Sequence, residues 1–371
     1  MDAKIKVKIY DQEGNEFYYK DKKVEENKEN LRKFLDWDKK MDNLEFAQEK
    51  MFFQELKTNN LIEGYQDDLN NIERIVKGRE KIKRVTNLYR GYRYILEQRK
   101  IDEIHLKELY AILSEGLLSP YDLTHMGDKY REAPVFILKS GRLDESYDEG
   151  VEVNKIQELI NYYFDLLNRD NFLGNEKIDE YLKSQILHYY LMYIHPYFDV
   201  NGRTSRTMSM WYLLNKECFS YMIFNRGISF KGSKYDKIVG LAKNNCDLSD
   251  FLNLMIDTLK LELEKEHIIN DITNNSKYKL SNIDRQTLLY FLTMNGMKTT
   301  ADFVGFYNRF NDKKKFLKIY KEMILPLIDK EVIKVIRETK KTLSGIPNME
   351  LALNESLFDY NKNYLTRVKL K

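Results

Sequence analysis

The chain has 371 residues, 43% hydrophobic and 32% charged, with a formal net charge of +3. That balance suits two or three soluble globular domains and excludes wholesale disorder. It also excludes a molecule that is basic all over, so any contact with nucleic acid must rest on a local patch.

The opening stretch, MDAKIKVKIYDQEG, is polar where a signal peptide carries an apolar core, so no secretory leader is expected. KIKVKIY and EFYY flank DQEGN, which predicts a small β-hairpin with a Gly turn over residues 4–19, set off as a unit at 1–25. Residues 26–100 read as a helical region. Within it, Phe46, Phe52, Phe53 and Leu56 give an apolar stripe over 43–60, and Gly64 supplies the stop. Further helices are predicted over 80–97, 101–117, 151–168, 176–194 and 202–215, in long stretches free of proline. Between Asp122 and Tyr147, two glycines, a proline and the apolar run Val135–Leu138 predict a loop carrying a hairpin. The Asn- and Asp-rich stretch 271–284 reads as a linker after a core at 101–270. A last unit at 285–371 is expected to hold helices at 285–294, 299–309 and 313–324, then strands at Val332–Ile336 and Met349–Leu353. No run of about 18 apolar residues suggests a membrane span. Cys218 and Cys246 stand outside any CxxC or Cys/His cluster, which points away from zinc or a disulfide framework and toward a cytoplasmic location.

The chemistry concentrates in residues 195–206, His-Pro-Tyr-Phe-Asp-Val-Asn-Gly-Arg-Thr-Ser-Arg. Pro196 should end the preceding helix and open a tight loop. The helix that starts near Gly202 turns its free N–H groups toward that loop, forming an anion site. Asp199 is a hard oxygen donor of the kind Mg²⁺ takes. Arg203 and Arg206, three residues apart, share a helix face and suit phosphate oxygens. His195 is a side chain able to accept a proton near neutral pH. A base, a metal carboxylate, an anion nest and two guanidinium groups are what substitution at phosphorus requires.

This segment resembles the Fic family signature, and the resemblance extends over roughly residues 40–260. It implies a mainly α fold: a Fic-type helical core with a small β-hairpin flap, preceded by an N-terminal helical region and followed by a winged-helix-like module. It implies a protein adenylyltransferase that moves AMP from Mg-ATP to a Ser, Thr or Tyr hydroxyl of a target protein or of the chain itself. In that reading His195 is the general base and Asp199 holds the metal. Asn201, Gly202 and Arg203 cradle the α-phosphate, Arg206 takes the γ-phosphate, Tyr235 lines an adenine pocket, and Tyr197 is a buried anchor. Residues 59–64, Asn-Asn-Leu-Ile-Glu-Gly, resemble the family's inhibitory motif, so Glu63 is expected to occupy Arg206. Asn59 stands where the motif has Ser or Thr, implying a weakened or altered brake. Gly127–Arg131 followed by Val135, Phe136 and Ile137 resembles the flap that clamps an extended target segment by main-chain pairing.

Val200 departs from the family's Gly or Ala. If that position needs positive φ, a β-branched residue is expected to distort the anion nest. His188 is read as a packed helix residue. Lys313, Lys314, Lys315, Lys318 and Lys321 lie on or beside the third helix of the last unit, with Lys340 and Lys341 in its wing-like turn. The alternatives there are contact with DNA phosphates, docking of a protein or of a second copy, and a structural cap. Two other functions stay open at this point: a Fic-fold transferase using another nucleotide such as UTP, and a DNA-binding regulator with an impaired core.

Overall fold

The computed structural model describes residues 3–32, 54–67, 69–79, 81–138, 147–229, 231–275, 279–293, 299–341 and 347–354. It is mainly helical, with three two-stranded antiparallel sheets among the described residues. Contacts divide the chain into two compact units: residues 1–65 with 69–260, and residues 66–68 with 261–371.

The first unit opens with the expected hairpin, β1 (Lys4–Tyr10) and β2 (Glu16–Lys20). The Asp11 carboxylate accepts the Glu13 and Asn15 amides, and Gly14 takes a φ of +87°, which closes the turn. Helix α1 (Asp21–Arg32) follows at once, so the hairpin unit ends at Lys20 and not at residue 25. The sequence DKKVEENKENLR is too polar to announce this helix. Val24 and Leu31 supply its buried side, and Lys28 pairs with Asp179 at 2.7 Å. Of the apolar stripe predicted over 43–60, Phe46, Phe52 and Phe53 lie outside the described residues. The helix α2 is seen over 54–62, with Leu56 fully buried. Then come α3 (Leu69–Val76), α4 (Lys83–Glu97), α5 (Glu103–Ser114) and the short α6 (Pro120–His125), capped by Ser119. Strands β3 (Phe136–Leu138) and β4 (Tyr147–Glu149) pair within the loop that was expected to carry a hairpin.

Helices α7 (Ile156–Leu167), α8 (Lys177–Ile194) and α9 (Asn201–Asn215) form the center of the first unit. Helix α8 is buried on nearly every side, as befits a helix with apolar or aromatic residues all round. Phe17 of the hairpin packs edge-on against Tyr189, Tyr190 and Tyr193, and the Tyr190 hydroxyl donates to the Tyr10 carbonyl at 2.8 Å. Helices α10 (Phe224–Ser229) and α11 (Gly232–Asn245) complete the layer that carries Tyr235.

Helix α12 (Ser249–Asn275) runs five residues into the expected linker 271–284, and α13 (Asn282–Thr293) takes its last three. The reason is periodicity: Ile268, Ile269 and Ile272 continue a fully buried stripe, while Asn and Asp occupy the other faces. The second unit then adds α14 (Thr300–Phe310) and a third helix, α15, built of three segments, Phe316–Ile319, Tyr320–Ile324 and Leu325–Asp329. The middle segment is a π-turn just before Pro326, whose ring and missing N–H do not fit a regular helical ladder. Strands β5 (Ile333–Lys341) and β6 (Pro347–Leu353) pair antiparallel, so Lys340 and Lys341 end a strand and do not sit in the turn. Glu322 lies 3.9 Å from both Lys314 and Lys318, which offsets part of the basic cluster.

Gly227 of α10 tests the packing that supports Tyr235. A Cβ there would meet Thr258 Cβ at 2.5 Å and the Thr258 carbonyl oxygen at 3.0 Å. Gly227→Ala is expected to cost about 1–3 kcal/mol of stability, read as a fall of several degrees in thermal unfolding. An unchanged unfolding temperature would contradict this close approach.

Candidate active site

Two left-handed residues make the loop between α8 and α9. His195 caps α8 at φ +49°, and Val200 caps the start of α9 at φ +65°. The loop therefore does need positive φ at 200, and the valine adopts it. A β-branched side chain in this region costs on the order of 1–3 kcal/mol. The expected distortion of the nest does not occur: the Val200 carbonyl still accepts both the Thr204 amide (2.9 Å) and its hydroxyl (2.8 Å). The Thr204 amide is thus the first to bond within α9. The N–H groups of Asn201, Gly202 and Arg203 remain at the open end of the helix, where an anion is favoured.

Asn201 was expected to help cradle the α-phosphate. Its side-chain Oδ1 accepts the Tyr197 amide (3.1 Å) and its Nδ2 donates to the Tyr197 carbonyl (2.8 Å). Both ends of the amide are committed to the loop's own backbone, so Asn201 shapes the nest and contributes to it through its main-chain N–H. Tyr197 is fully buried and stacks on Tyr110 with ring centroids 3.5 Å apart. Asp199 is exposed, and its Oδ1 is held by the Val200 amide at 2.6 Å. No cluster of three or more metal-ligating side chains occurs among the described residues.

Arg203 and Arg206 are both buried, at 5% and 2% exposure, yet differ in their partners. Arg203 forms no hydrogen bond to any described residue, its Nε is unpartnered, and its guanidinium lies 5.8 Å from the center of the Tyr65 ring. Arg206 has two partners. Its Nη2 donates to Glu63 Oε1 in a short ion pair, and its Nε donates to Asn59 Oδ1 at 2.8 Å. Asn59 in turn donates to the Tyr92 hydroxyl at 3.1 Å. Asn59 therefore does more than orient a helix: it is a second acceptor on the same guanidinium.

Glu63 reaches Arg206 because of how α2 ends. Gly64, at φ +85°, donates to the Leu61 carbonyl and Tyr65 to the Asn60 carbonyl, each at 3.0 Å, a Schellman termination. At its other end α2 is tied to α10, where Asn225 Nδ2 donates to the buried Glu55 at 3.1 Å. Gly202 leaves the pair its room: a Cβ there would lie 2.8 Å from Glu63 Oε1 and 2.9 Å from Arg206 Nη1, so one of them would have to shift. Burial raises the Glu63 pKa, but the charges of Arg206 and Arg203 outweigh it and hold the carboxyl below its ordinary value.

His195 is depressed to about 4, mainly by burial and then by the Arg131 charge and that of Lys243. The Met192 carbonyl and Glu63 oppose the shift. The imidazole is therefore neutral at pH 7, the state a base requires. Tyr235 is buried, and its hydroxyl is shared between His188 Nε2 (3.1 Å) and Met192 Sδ (3.0 Å). It can serve a nucleotide by packing, not by a hydroxyl. His188, lowered to about 3 by burial, sits among Phe224, Tyr235 and Phe251 as a packed residue.

Of the flap residues, Phe136 and Ile137 lie on β3, opposite Glu149 and Asp148 of β4. Val135 precedes the strand and closes the hairpin by accepting the Gly150 amide at 2.9 Å. Phe136 is 63% exposed. Sequence reasoning missed Tyr92, Tyr65 and above all Arg131. Arg131 was read only as part of the flap motif, because its partners are backbone carbonyls with no signature of their own.

Residues 100–213 match the family model for the Fic/DOC family. Among solved structures, a Fic family protein from Desulfovibrio desulfuricans G20 is 16% identical with a TM-score of 0.58, over 90% of this chain and 97% of that one. Fic-1 from C. elegans is 17% identical with a TM-score of 0.50, over 67% of this chain and 74% of that one. At these identities the likeness is one of fold. No curated protein matches the chain.

The Glu63 pair makes stability depend on pH in a defined direction. A carboxyl held below its ordinary pKa contributes stability above its unfolded value, and loses it as pH falls through the folded value. Glu63→Gln is expected to cost about 1–2 kcal/mol near neutrality, and the deficit should shrink as pH falls below about 4. Thermal unfolding of both proteins across that range checks this, and a deficit that grows on acidification would contradict the ionised pair.

Proposed function

This chain carries a Fic/DOC-family domain at residues 100–213, and from that premise we propose that it is a protein adenylyltransferase held in check by its own Glu63. The observation that carries the reading is the contrast between two buried arginines on one face of α9. Among the described residues Arg203 has no hydrogen-bonding partner, while Arg206 is held by both Glu63 and Asn59. A buried guanidinium without an anion is costly unless an anion arrives. A guanidinium already paired is closed to one.

In the proposed reaction, the hydroxyl oxygen of a target Ser, Thr or Tyr attacks the α-phosphorus of ATP. The new O–P bond forms as the α–β anhydride bond breaks, and pyrophosphate leaves. The hydroxyl proton passes to the neutral His195 ring. Arg203 and the N–H groups of Asn201, Gly202 and Arg203 neutralise the α-phosphate oxygens as charge develops. Arg206 takes the γ-phosphate once Glu63 has left it. The β3 edge, with Phe136 and Ile137, pairs with the target main chain, and Tyr235 backs the adenine.

Asp199 would hold Mg²⁺. A single exposed carboxylate, with one oxygen already fixed by the Val200 amide, fits an ion that takes one or two carboxylates and otherwise phosphate oxygens and water. When bound, Mg²⁺ neutralises charge on the phosphate oxygens. The intact geometry around Val200 favours a working transferase over an impaired core.

Incubation with ATP labelled at the α- or the γ-phosphate tests the reaction. Label should reach protein from the α position only. His195→Ala should lower transfer by roughly 10²–10⁴-fold without loss of fold. Glu63→Gly should raise transfer, and adding Arg206→Ala should cancel the gain. Transfer of the γ label, or full activity in a folded His195→Ala protein, would overturn the proposal.

A further inference from the structure

Arg131 is 1% exposed, and no carboxylate among the described residues is bonded to it. Its guanidinium donates instead to three backbone carbonyls in three different segments. Nε reaches His195 O at 2.9 Å, Nη1 reaches Ala133 O at 2.9 Å, and Nη2 reaches Val151 O at 2.5 Å. Its own amide donates to Pro196 O at 3.0 Å. Ala133 lies just before β3 and Val151 just after β4. The same group thus holds both roots of the flap hairpin and the backbone of the residue that stands as base. Gly150 leaves the room for this: a Cβ there would fall 2.5 Å from Val135 Cγ1 and 3.1 Å from Arg131 Nη2.

Packing alone does not account for an arginine here. A buried charge without a counter-charge is expensive, and an apolar side chain of similar size would fill the space at lower cost. Burial does hold the Arg131 pKa down, to about 10, which still leaves it charged at neutral pH. What arginine alone provides is a rigid planar fork with five donors, able to reach three carbonyls at once; lysine's single ammonium cannot span them in the same way.

We propose that Arg131 is a positioning residue, which fixes the flap at a set distance from His195 so that a target segment on the β3 edge presents its hydroxyl to the base. This rests on the transferase reading above, in which β3 holds the target and His195 takes the proton. Its charge has a second effect, because it helps keep His195 neutral. The other charged groups facing that imidazole are Lys243 of α11, acting in the same direction, and Glu63 at the end of α2, acting against it.

Two variants of the full chain separate the fork from the charge. Arg131→Gln removes both, and Arg131→Lys keeps the charge alone. Hydrogen exchange at the amides of 147–151 should quicken by at least about tenfold in both variants. The His195 imidazole, followed by NMR, should titrate at higher pH in Arg131→Gln and near its wild-type midpoint in Arg131→Lys. In transfer assays both variants should lose at least about tenfold in kcat, with Mg-ATP affinity by calorimetry within about twofold of wild type. The acidic limb of the rate profile should move up only in Arg131→Gln. Wild-type exchange and transfer in Arg131→Lys, or an unmoved His195 titration in a folded Arg131→Gln protein, would overturn the assignment. Should Arg131→Gln fail to fold, the Arg131→Lys exchange and kcat decide. If the wild-type protein transfers no nucleotide, the transferase reading fails, while exchange and the His195 titration still test the positioning.

Discussion

One carboxylate and one guanidinium, the part-buried Glu63 and the buried Arg206, meet in the site, and much of it is arranged around that contact. At Gly202 a Cβ would crowd both groups. The Schellman turn at Gly64 aims Glu63 inward, and Glu55 and Asn59 tie α2 to α10 and to Tyr92. Such a pair is strong because the bond is charge-assisted and the buried guanidinium has little water to fall back on. It is also exclusive, since the donors that hold a carboxylate cannot hold a phosphate at the same time. Asn59 adds to the exclusion by accepting from Arg206 Nε, a donor that Glu63 does not take.

A second constraint is the shape of the loop from 195 to 200. Left-handed residues at both ends reverse the chain so that the base and the open end of α9 stand close together. Neither end is a glycine, so the conformation is held from outside: Asn201 grips the Tyr197 backbone, Thr204 grips the Val200 carbonyl, and Arg131 grips His195 and Pro196. Strain stored at a site in this way persists where the surroundings over-determine it. Here the surroundings include the flap, through the same arginine.

Much of the fold was legible from periodicity and breakers. The hairpin at the start, the helices around the signature and the order of helices and strands in the last unit follow from spacing, Pro196 and the glycines. The signature residues were legible as a set because their chemistry is local in sequence. Where reading fell short, the cause was non-local. Helix α1 is polar apart from the few residues that meet α8. Helix α12 outlasts its Asn-rich end because three isoleucines keep one face buried. The roles of Asn201, Asn59 and Arg131 depend on hydrogen bonds to partners that no sequence pattern marks. Val200 was read correctly as a conflict between residue and backbone; the surroundings resolve it by holding the backbone and not by distorting the nest.

The central claim is that Glu63 occupies the place of the γ-phosphate, and the contribution of that phosphate to binding tests it most directly. Calorimetric titration with ATP and with ADP, for the wild-type protein and for Glu63→Gly, isolates it. With Glu63 in place the two nucleotides should bind within about twofold of each other, because the guanidinium of Arg206, which would take the third phosphate, is already paired. In Glu63→Gly, ATP should gain at least about tenfold over ADP, the scale of one charge-assisted contact. The same ratio of ATP to ADP affinity in both proteins would contradict the account.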